Sequence, residues 1–350
     1  METRSGKEQK LDGFFRVRQR GLHPAKRFLR QILFPRTAGS FPSHGGRRPY
    51  MTLLRHAGRV QVVPKSVTLV FIWMRGDDHR RWEELDMATH REVILGQFSR
   101  QALPFSAAAM ISDKGALNMI VDAVQPSPKD IVLDVACGPG LVVCAFAPYA
   151  GRVIGIDMTP AMLDRARLLA AEQGVRNVDW HQGDIYSLPY AAESFTTVVT
   201  RYSFHHLIDP AAALREMARV CAAKGRIVVV DAYAPEDYQQ AAEFNRVERL
   251  RDPSHVRSLS LSALLDLFAR VGLPEPRTTL YELRVEVRDL LARAFPNPGD
   301  EIEIVKTFRA SAADGRLGIP VHLDGDNVHV TYRAAILTTQ PVVKPVRGNI

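Results

Sequence analysis

The sequence predicts an α/β fold built on an open, doubly wound, mostly parallel sheet. A short apolar run, Ile131–Val135, is typical of a buried strand, and a glycine-rich turn follows it at once. A helix is predicted to begin at Leu141, directly after this turn. A second apolar strand, Arg152–Asp157, ends in an acid. In open α/β sheets, such a strand–turn–helix unit places a ligand outside the carboxyl end of the strand.

The glycine turn has the pattern Asp134-x-x-x-Gly138-x-Gly140. Both glycines lack a Cβ, so the backbone there can approach a ligand closely or adopt a positive φ. The third glycine of a dinucleotide fingerprint is missing, and Asp134 stands inside the strand end, where it would repel a diphosphate. The sulfonium and amino groups of a cationic ligand such as S-adenosylmethionine (SAM) would tolerate or favour this acid.

Two further acids extend the predicted ligand site. Asp157 ends the second strand, and a carboxylate there can accept hydrogen bonds from both ribose hydroxyls. Asp184 follows Gly183 in a loop, where an adenine amino group could be recognised, and Ile185 is next to it.

With these motifs, the chain resembles the class I SAM-dependent methyltransferases (EC 2.1.1.-). It is most similar to the methyltransferase type 11 branch, which includes the C-methyltransferases of ubiquinone and menaquinone biosynthesis and many bacterial relatives. The stretches that carry the resemblance are residues 132–140, 153–163, 183–189, 202–206 and 225–231. The resemblance implies a Rossmann-like sheet of seven strands, the last one antiparallel, with helical lid elements.

The resemblance also implies SAM as the cofactor and a set of residues that bind it. Met158 would pack on the adenine, Arg201 would approach the methionine end of SAM, and Phe98 or Phe105 would cover the ligand from the lid. For both phenylalanines, a place in the ordinary core is the alternative. The predicted cofactor-binding residues are Asp134, Ala136, Gly138, Gly140, Asp157, Met158, Asp184, Ile185, Arg201, Phe98 and Phe105.

The remaining elements follow from apolar periodicity and from helix-capping residues. Thr159 and Pro160 are predicted to cap and start one helix, and Pro104 to interrupt another. The predicted further strands are 178–181, 194–202, 225–231, 278–287 and 327–338. The predicted helices are 89–102, 114–124, 161–173, 211–222, 235–251, 261–271 and those within 288–313.

Methyl transfer from a sulfonium needs mainly in-line positioning and exclusion of water. A base is required only if the acceptor must lose a proton, as in O- or C-methylation of a phenolic or enolic ring. Three residues are candidates for this base without a ranking among them: Tyr202, His206 and His255. No metal site is expected, because the adjacent histidines have no third ligand at a recognisable spacing.

The positive charge of the chain is concentrated in residues 1–86, which hold 18 Lys+Arg and 8 Asp+Glu. Residues 87–350 hold 28 basic and 30 acidic residues, so a nucleic-acid partner is not expected. We expect residues 1–86 to be an N-terminal extension and residues 87–350 to be the methyltransferase domain. The extension is predicted to be a disordered basic arm or a stretch outside the natural translation product. An organelle transit segment or a nucleic-acid tether would also fit its scattered arginines.

The last expectations concern partners and location. The three cysteines lack disulfide or metal spacing, and the chain has no segment of transmembrane length, so a cytoplasmic location is predicted. The expected partner is a small-molecule methyl acceptor, either a quinone precursor or another ring-bearing metabolite, and a homodimer is left open. Two different functions also fit the fold class: a SAM-binding protein without turnover, and an NAD(P)-dependent dehydrogenase.

Overall fold

The computed structural model describes the backbone of residues 51–56, 59–64, 76–106 and 113–341, and the side chains of residues 87–104 and 113–341. The chain divides into two compact units, Met1–Trp73 and Met74–Ile350. The first unit contains an antiparallel hairpin formed by β1 (Met51–His56) and β2 (Arg59–Pro64).

All other described elements belong to the second unit. Its strands are β3 (Ile131–Val135), β4 (Arg152–Asp157), β5 (Val178–Gln182), β6 (Phe195–Arg201), β7 (Cys221–Ala232), β8 (Arg277–Glu286), β9 (Val321–Asp324) and β10 (Asn327–Thr339). Its helices are α1 (Gly76–Ser106), α2 (Lys114–Val124), α3 (Leu141–Phe146), α4 (Pro160–Glu172), α5 (Pro210–Val220), α6 (Tyr238–Arg251), α7 (Leu261–Arg270), α8 (Val287–Leu291) and α9 (Asp300–Asp314). A 3₁₀ turn, Phe204–His206, follows β6.

The strands form one sheet in the order β5-β4-β3-β6-β7-β10-β8, with β9 paired to β10. Strands β3 to β7 pair in parallel, whereas β10 runs antiparallel to β7 and β8. This arrangement confirms the predicted sheet with an antiparallel last strand. The eighth strand, β9, was not predicted, because its four largely exposed residues carry no buried apolar run.

The sheet is covered on both faces, as expected for a parallel sheet. Leu133 and Val135 of β3 pack on one face with residues of α5 and α7. Val132 packs on the opposite face with residues of α2 and α3. The chain turns from one side of the sheet to the other between β3 and β6, so the carboxyl ends of these strands border the switch point.

Helix α1 differs from its prediction at both ends. It begins at Gly76 rather than at residue 89, and Pro104 lies inside it instead of ending it. The start was missed because residues 76–86 are mostly charged and show no apolar period. Pro104 removes one backbone hydrogen bond, and the helix ends two residues after it, at Ser106. No helix in the described part of the chain is both long enough and apolar enough to cross a membrane.

The predicted cap of α4 is only partly correct. Pro160 opens the helix as predicted, but the Thr159 side chain makes no capping hydrogen bond. Instead, the Thr159 amide donates to the Asp157 carboxylate over 2.8 Å. The acid at the end of β4 therefore binds the residue that precedes α4 and ties this strand end to the start of the helix.

Candidate active site

A cavity of about 400 Å³ lies at the carboxyl ends of β3, β4 and β6, under α1. This volume falls within the range of small-molecule sites, ~300–1,000 Å³. Helix α1 lines it with residues that include His90, Arg91, Ile94 and Phe98. The residues predicted from the sequence that line it are Phe98, Asp134, Ala136, Gly138, Asp157, Met158, Asp184, Ile185, Arg201, Tyr202 and His206.

Asp134 is buried in the wall of this cavity with only 1% of its surface exposed. Neither of its carboxylate oxygens has a hydrogen-bond partner among the described residues. Burial and the nearby charge of Asp157 raise its pKa well above the usual value, while the Arg201 charge opposes that rise. Buried acids without hydrogen-bond partners are costly, so a donor or a positive charge from a bound ligand would stabilise Asp134.

Asp157 has well-defined backbone partners. One carboxylate oxygen accepts a hydrogen bond from the Gly138 amide at 2.9 Å, and the other accepts from the Thr159 amide at 2.8 Å. Burial raises its pKa, and these amide hydrogen bonds counteract part of the rise. Each oxygen retains a lone pair, so the fixed carboxylate can accept two further hydrogen bonds from a ligand.

Asp184 and Ile185 also line the cavity, from the loop after β5. Asp184 accepts a hydrogen bond from the Tyr186 amide at 3.0 Å and forms an ion pair with Arg91 of α1 at 3.3 Å. Because Arg91 is more than half exposed, this ion pair adds little stability. It links α1 to the loop after β5.

Two non-glycine residues in the cavity wall have left-handed backbone conformations: Ala136 after β3 has φ 56°, and Tyr202 after β6 has φ 55°. Such conformations cost about 1–3 kcal/mol each and cluster at functional sites. Both stand at the strand ends that border the switch point. The strain thus marks the place where the fold predicts a ligand.

The two predicted turn glycines have different roles. Both have a positive φ, as predicted, but only Gly138 lines the cavity. A Cβ on Gly140 would lie 2.6 Å from Cη2 of Trp180 and 2.9 Å from Cβ of Ala166. The structure therefore does not support the predicted cofactor contact of Gly140. Close packing of α3 against β5 and α4 explains this glycine instead.

His206 and Tyr202, two predicted base candidates, both line the cavity. The His206 Nδ1 donates to the Ser254 carbonyl over 3.0 Å, which leaves Nε2 with the lone pair. Burial and the charge of His205 lower its pKa to about 4. The Tyr202 hydroxyl lies 2.8 Å from the Tyr281 hydroxyl, and burial raises its pKa. His206 is thus a neutral acceptor and Tyr202 a protonated phenol at neutral pH.

His255, the third base candidate, does not line the cavity. It is buried, with 3% of its surface exposed, and its Nε2 lies 2.9 Å from the side-chain oxygen of Asn245. Burial and the charges of His205 and His206 lower its pKa strongly. The structure therefore does not support His255 as a base. The remaining predicted residue, Phe105, has a side chain that lies outside the described residues.

A second, smaller cavity of about 90 Å³ adjoins the first. Three side chains line both cavities: Phe98, Tyr202 and His206. The inner cavity, as we name this second cavity, is also lined by charged and polar side chains, which are Gln101, His205, Glu248, Arg251, Asp252, Ser258, Arg293 and Tyr332. Buried charges at this density are uncommon unless they are paired or functional.

Sequence reasoning missed a contact that His205, which lines the inner cavity, makes with Asp231. The His205 Nδ1 lies 2.6 Å from a carboxylate oxygen of Asp231, whose second oxygen accepts from the His205 amide at 3.0 Å. The pair could have been foreseen, because His205 follows β6 and Asp231 lies near the end of β7, the neighbouring parallel strand. The carboxyl ends of such strands meet at one edge of the sheet.

The chemistry of the larger cavity fits SAM. The carboxyl group of Asp134, buried without hydrogen-bond partners among the described residues, suits a positively charged ligand. Arg201 lines the same cavity, with its guanidinium 4.4 Å from the centre of the Tyr202 ring, and suits the carboxylate of a ligand. Cys137 also lines the cavity, but burial raises the pKa of its thiol well above the usual value, so it is not a nucleophile at neutral pH. The described residues contain no group of three or more side chains arranged to hold a metal ion.

Comparison with known proteins agrees with this chemistry. The profile of a family described as a methyltransferase domain matches residues 133–229. The Bacillus subtilis protein named uncharacterized methyltransferase YcgJ is 34% identical over 217 residues, covering 62% of this chain and 85% of that protein. Its crystal structure superposes with a TM-score of 0.62 and 30% identity, over 66% of this chain and 99% of that chain.

A more distant relative has a named substrate. The 2-phytyl-1,4-naphtoquinone methyltransferase of Synechococcus elongatus is 33% identical over 124 residues, which span 33% of this chain and 52% of that protein. The motifs, the sheet order, the cavity chemistry and these relatives agree. This chain belongs to the SAM-dependent methyltransferase family, with S-adenosylmethionine as its cofactor.

Proposed function

We propose that this methyltransferase acts on a small-molecule acceptor, either a quinone precursor or another ring-bearing metabolite, and that residues 87–350 form the catalytic domain. The observation that carries the proposal is the buried Asp134, whose oxygens lack partners among the described residues, in a cavity that adjoins the inner cavity. A quinone-type acceptor is supported by the distant naphtoquinone methyltransferase relative. A cytoplasmic location and a homodimer remain predictions.

In this proposal, Asp134 holds the positively charged part of SAM, and Arg201 holds its carboxylate. Asp157 accepts hydrogen bonds from the ribose, while Asp184, Ile185 and Met158 border the adenine. The glycine turn contributes Ala136 and Gly138, which both line the cavity. A ligand can approach the backbone at Gly138 closely, because a Cβ there would meet no atom within 4 Å.

The bound cofactor supplies an electrophilic methyl group, so the protein mainly positions the acceptor and excludes water. Phe98 supports this role because its ring contacts the His206 ring at a centroid distance of 5.0 Å, between the two cavities. The lone pair on the His206 Nε2 can orient the acceptor by accepting a hydrogen bond. Tyr202 can donate one, since its phenol stays protonated.

The test combines purified full-length protein, methyl-labelled SAM and a fractionated bacterial metabolite extract. We expect label in the organic-soluble fraction, dependent on Asp157, with Asp157→Ala as the inactive variant. Label in the aqueous fraction would exclude a quinone-like acceptor and direct the search to polar metabolites. SAM binding by calorimetry without any transfer of label would favour a binding protein without turnover. Binding of NADH but not of SAM would contradict the proposal.

A further inference from the structure

The inner cavity contains a proton-accepting group that the proposed function does not yet use. The His205 side chain lines this cavity and is 13% exposed, whereas its partner Asp231 is 2% exposed. The carboxylate of Asp231 is fixed by three donors: the His205 Nδ1 at 2.6 Å, the His205 amide at 3.0 Å and the Ala232 amide at 2.8 Å. The position of the imidazole is therefore set by the backbone at the ends of β6 and β7.

The hydrogen-bond pattern also sets the tautomer of His205. A carboxylate only accepts, so the Nδ1 of His205 carries the proton and its Nε2 carries the lone pair when the ring is neutral. The Nε2 has no hydrogen bond to any other residue in the described part of the chain. An imidazole oriented in this way by a buried acid is the arrangement that general-base catalysis uses.

Resting on the proposed function, we propose that His205, oriented by Asp231, is the general base for methyl transfer, and that the acceptor is a hydroxyarene or an enol whose acidic O–H enters the inner cavity. The acceptor proton moves to the Nε2 of His205. The electron pair released on the acceptor oxygen, or on its conjugated carbon, forms the bond to the methyl carbon as the carbon–sulfur bond of SAM breaks. The electron pair of that broken bond goes to sulfur.

The size of the inner cavity agrees with this assignment. At about 90 Å³, against about 400 Å³ for the larger cavity, it has room for a polar substituent and much less room for a ring system. The ring of the acceptor would remain in the larger cavity. Phe98, Tyr202 and His206, which line both cavities, would surround the bond between the ring and its hydroxyl.

The electrostatics agree as well. Burial acts to lower the pKa of His205, but the Asp231 charge and hydrogen bond outweigh it, so this pKa is raised. Other charged or titratable groups around it are Glu248 and Arg251 of α6, and the rings of His206 and His255 at centroid distances of 4.2 and 5.4 Å. The same cavity is also lined by Tyr202, Asp252, Arg293 and Tyr332. His206, with its pKa lowered to about 4, is a much weaker base than His205. Activity should therefore rise with pH as His205 becomes neutral.

The test measures proton transfer directly, on full-length protein saturated with S-adenosylhomocysteine. The probes are 4-nitrophenol and 4-nitrocatechol, because their anions absorb at longer wavelengths than their neutral forms. At a pH where the free probes are mostly protonated, we expect the bound probe to show the band of the anion. The band should disappear in His205→Gln and weaken in Asp231→Asn. The exposed His181→Gln serves as the matched control and should leave the band unchanged.

An anion band of equal strength in His205→Gln would overturn the proposal, and so would failure of both probes to bind while S-adenosylhomocysteine binds. Failure of S-adenosylhomocysteine to bind would instead contradict the proposed function, on which this inference rests. If His205→Gln does not fold, a ¹⁵N titration of His205 in the wild-type protein replaces it. We expect a pKa above the usual 6.5 that changes when the probe binds; a pKa below 6.5 overturns the proposal.

Once an acceptor is known, kinetics give a second measurement. General-base catalysis contributes about 10²–10⁴-fold, so His205→Gln should lower kcat by that factor while the Kd for SAM stays unchanged. In Asp231→Asn, the rise of kcat with pH should move to lower pH, because the charge that raises the His205 pKa is gone. A wild-type pH profile in both variants, or methylation of amines and thiols alone, would overturn the proposal.

Discussion

Asp134 is the residue on which the cofactor site depends most directly. Its two oxygens are buried without partners among the described residues, and a positively charged ligand would provide the missing interaction. Replacing it by asparagine keeps the shape of the side chain and removes the charge. A hydrogen bond to a charged group is worth about 1.5–3 kcal/mol, so we expect Asp134→Asn to weaken SAM binding by about 10- to 100-fold. Calorimetric titration measures this change, with Asp179→Asn on the surface as a control.

The same substitution should not destabilise the ligand-free protein. The pKa of Asp134 is higher in the folded protein than in the unfolded chain, where it is about 3.8. Above that pH the unfolded chain carries an ionised carboxylate, which the folded protein disfavours, so this residue lowers the free energy of unfolding. This unfavourable contribution is absent below pH ~3.8 and grows as the pH rises toward the folded-state pKa. At pH 7 we therefore expect Asp134→Asn to unfold at the same temperature as the wild type or at a higher one. A lower unfolding temperature at pH 7 would contradict this account.

Gly140 permits a different prediction, about packing. Gly140→Ala places a Cβ 2.6 Å from the Trp180 ring on a backbone with φ 83°, whereas a Cβ on Gly138 meets no atom within 4 Å. Strain and overpacking together should destabilise Gly140→Ala by about 2–4 kcal/mol. Gly138→Ala should lose only the ~1–2 kcal/mol of the left-handed conformation. Denaturant unfolding measures both, and equal losses in the two variants would show that the Trp180 contact is not the cause.

At the scale of elements, α1 is held over the cavities by buried polar contacts. The Gln101 side-chain amide donates to the Asp252 carboxylate at 3.0 Å and to the Ala294 carbonyl at 3.1 Å, and this residue is 2% exposed. Gln101→Leu leaves both acceptors without this donor, so we expect a loss of about 1–3 kcal/mol. Hydrogen exchange of the α1 amides should become faster. Ser99→Ala, at an exposed position of the same helix, is the control and should change neither quantity.

An element or contact could be predicted from the sequence when the residues that determine it lie close together in the chain. Strands β3 and β4 were placed correctly, because an unbroken apolar run and a following turn are local signals. The contact between Gly140 and Trp180 joins residues far apart in the chain, so spacing alone could not separate this glycine from Gly138. The contact between His205 and Asp231 also joins residues that are distant in the chain, because it forms where the ends of β6 and β7 meet. The start of α1 was missed because its first turns lack an apolar period.

At the scale of the whole molecule, ligand binding should stabilise the fold, because the cavity is formed by three strand ends and α1. A ligand at 100 times its Kd adds about 2.7 kcal/mol to the free energy of unfolding. For a domain of this size, that corresponds to a rise of about 5 °C in Tm. We expect this shift with S-adenosylhomocysteine and none with NADH, measured by differential scanning fluorimetry. A shift with NADH alone would favour a dehydrogenase.

The buried carboxyl of Asp134 has a consequence for the heat of binding. In the ligand-free protein its raised pKa favours the protonated form, whereas a sulfonium or ammonium group beside it favours the ionised form. Binding of SAM should therefore release a proton to the solution, where the buffer takes it up. Apparent binding enthalpies measured in phosphate and in Tris should then differ in proportion to the ionisation enthalpies of the two buffers. In Asp134→Asn this buffer dependence should vanish, so that the enthalpies in the two buffers coincide.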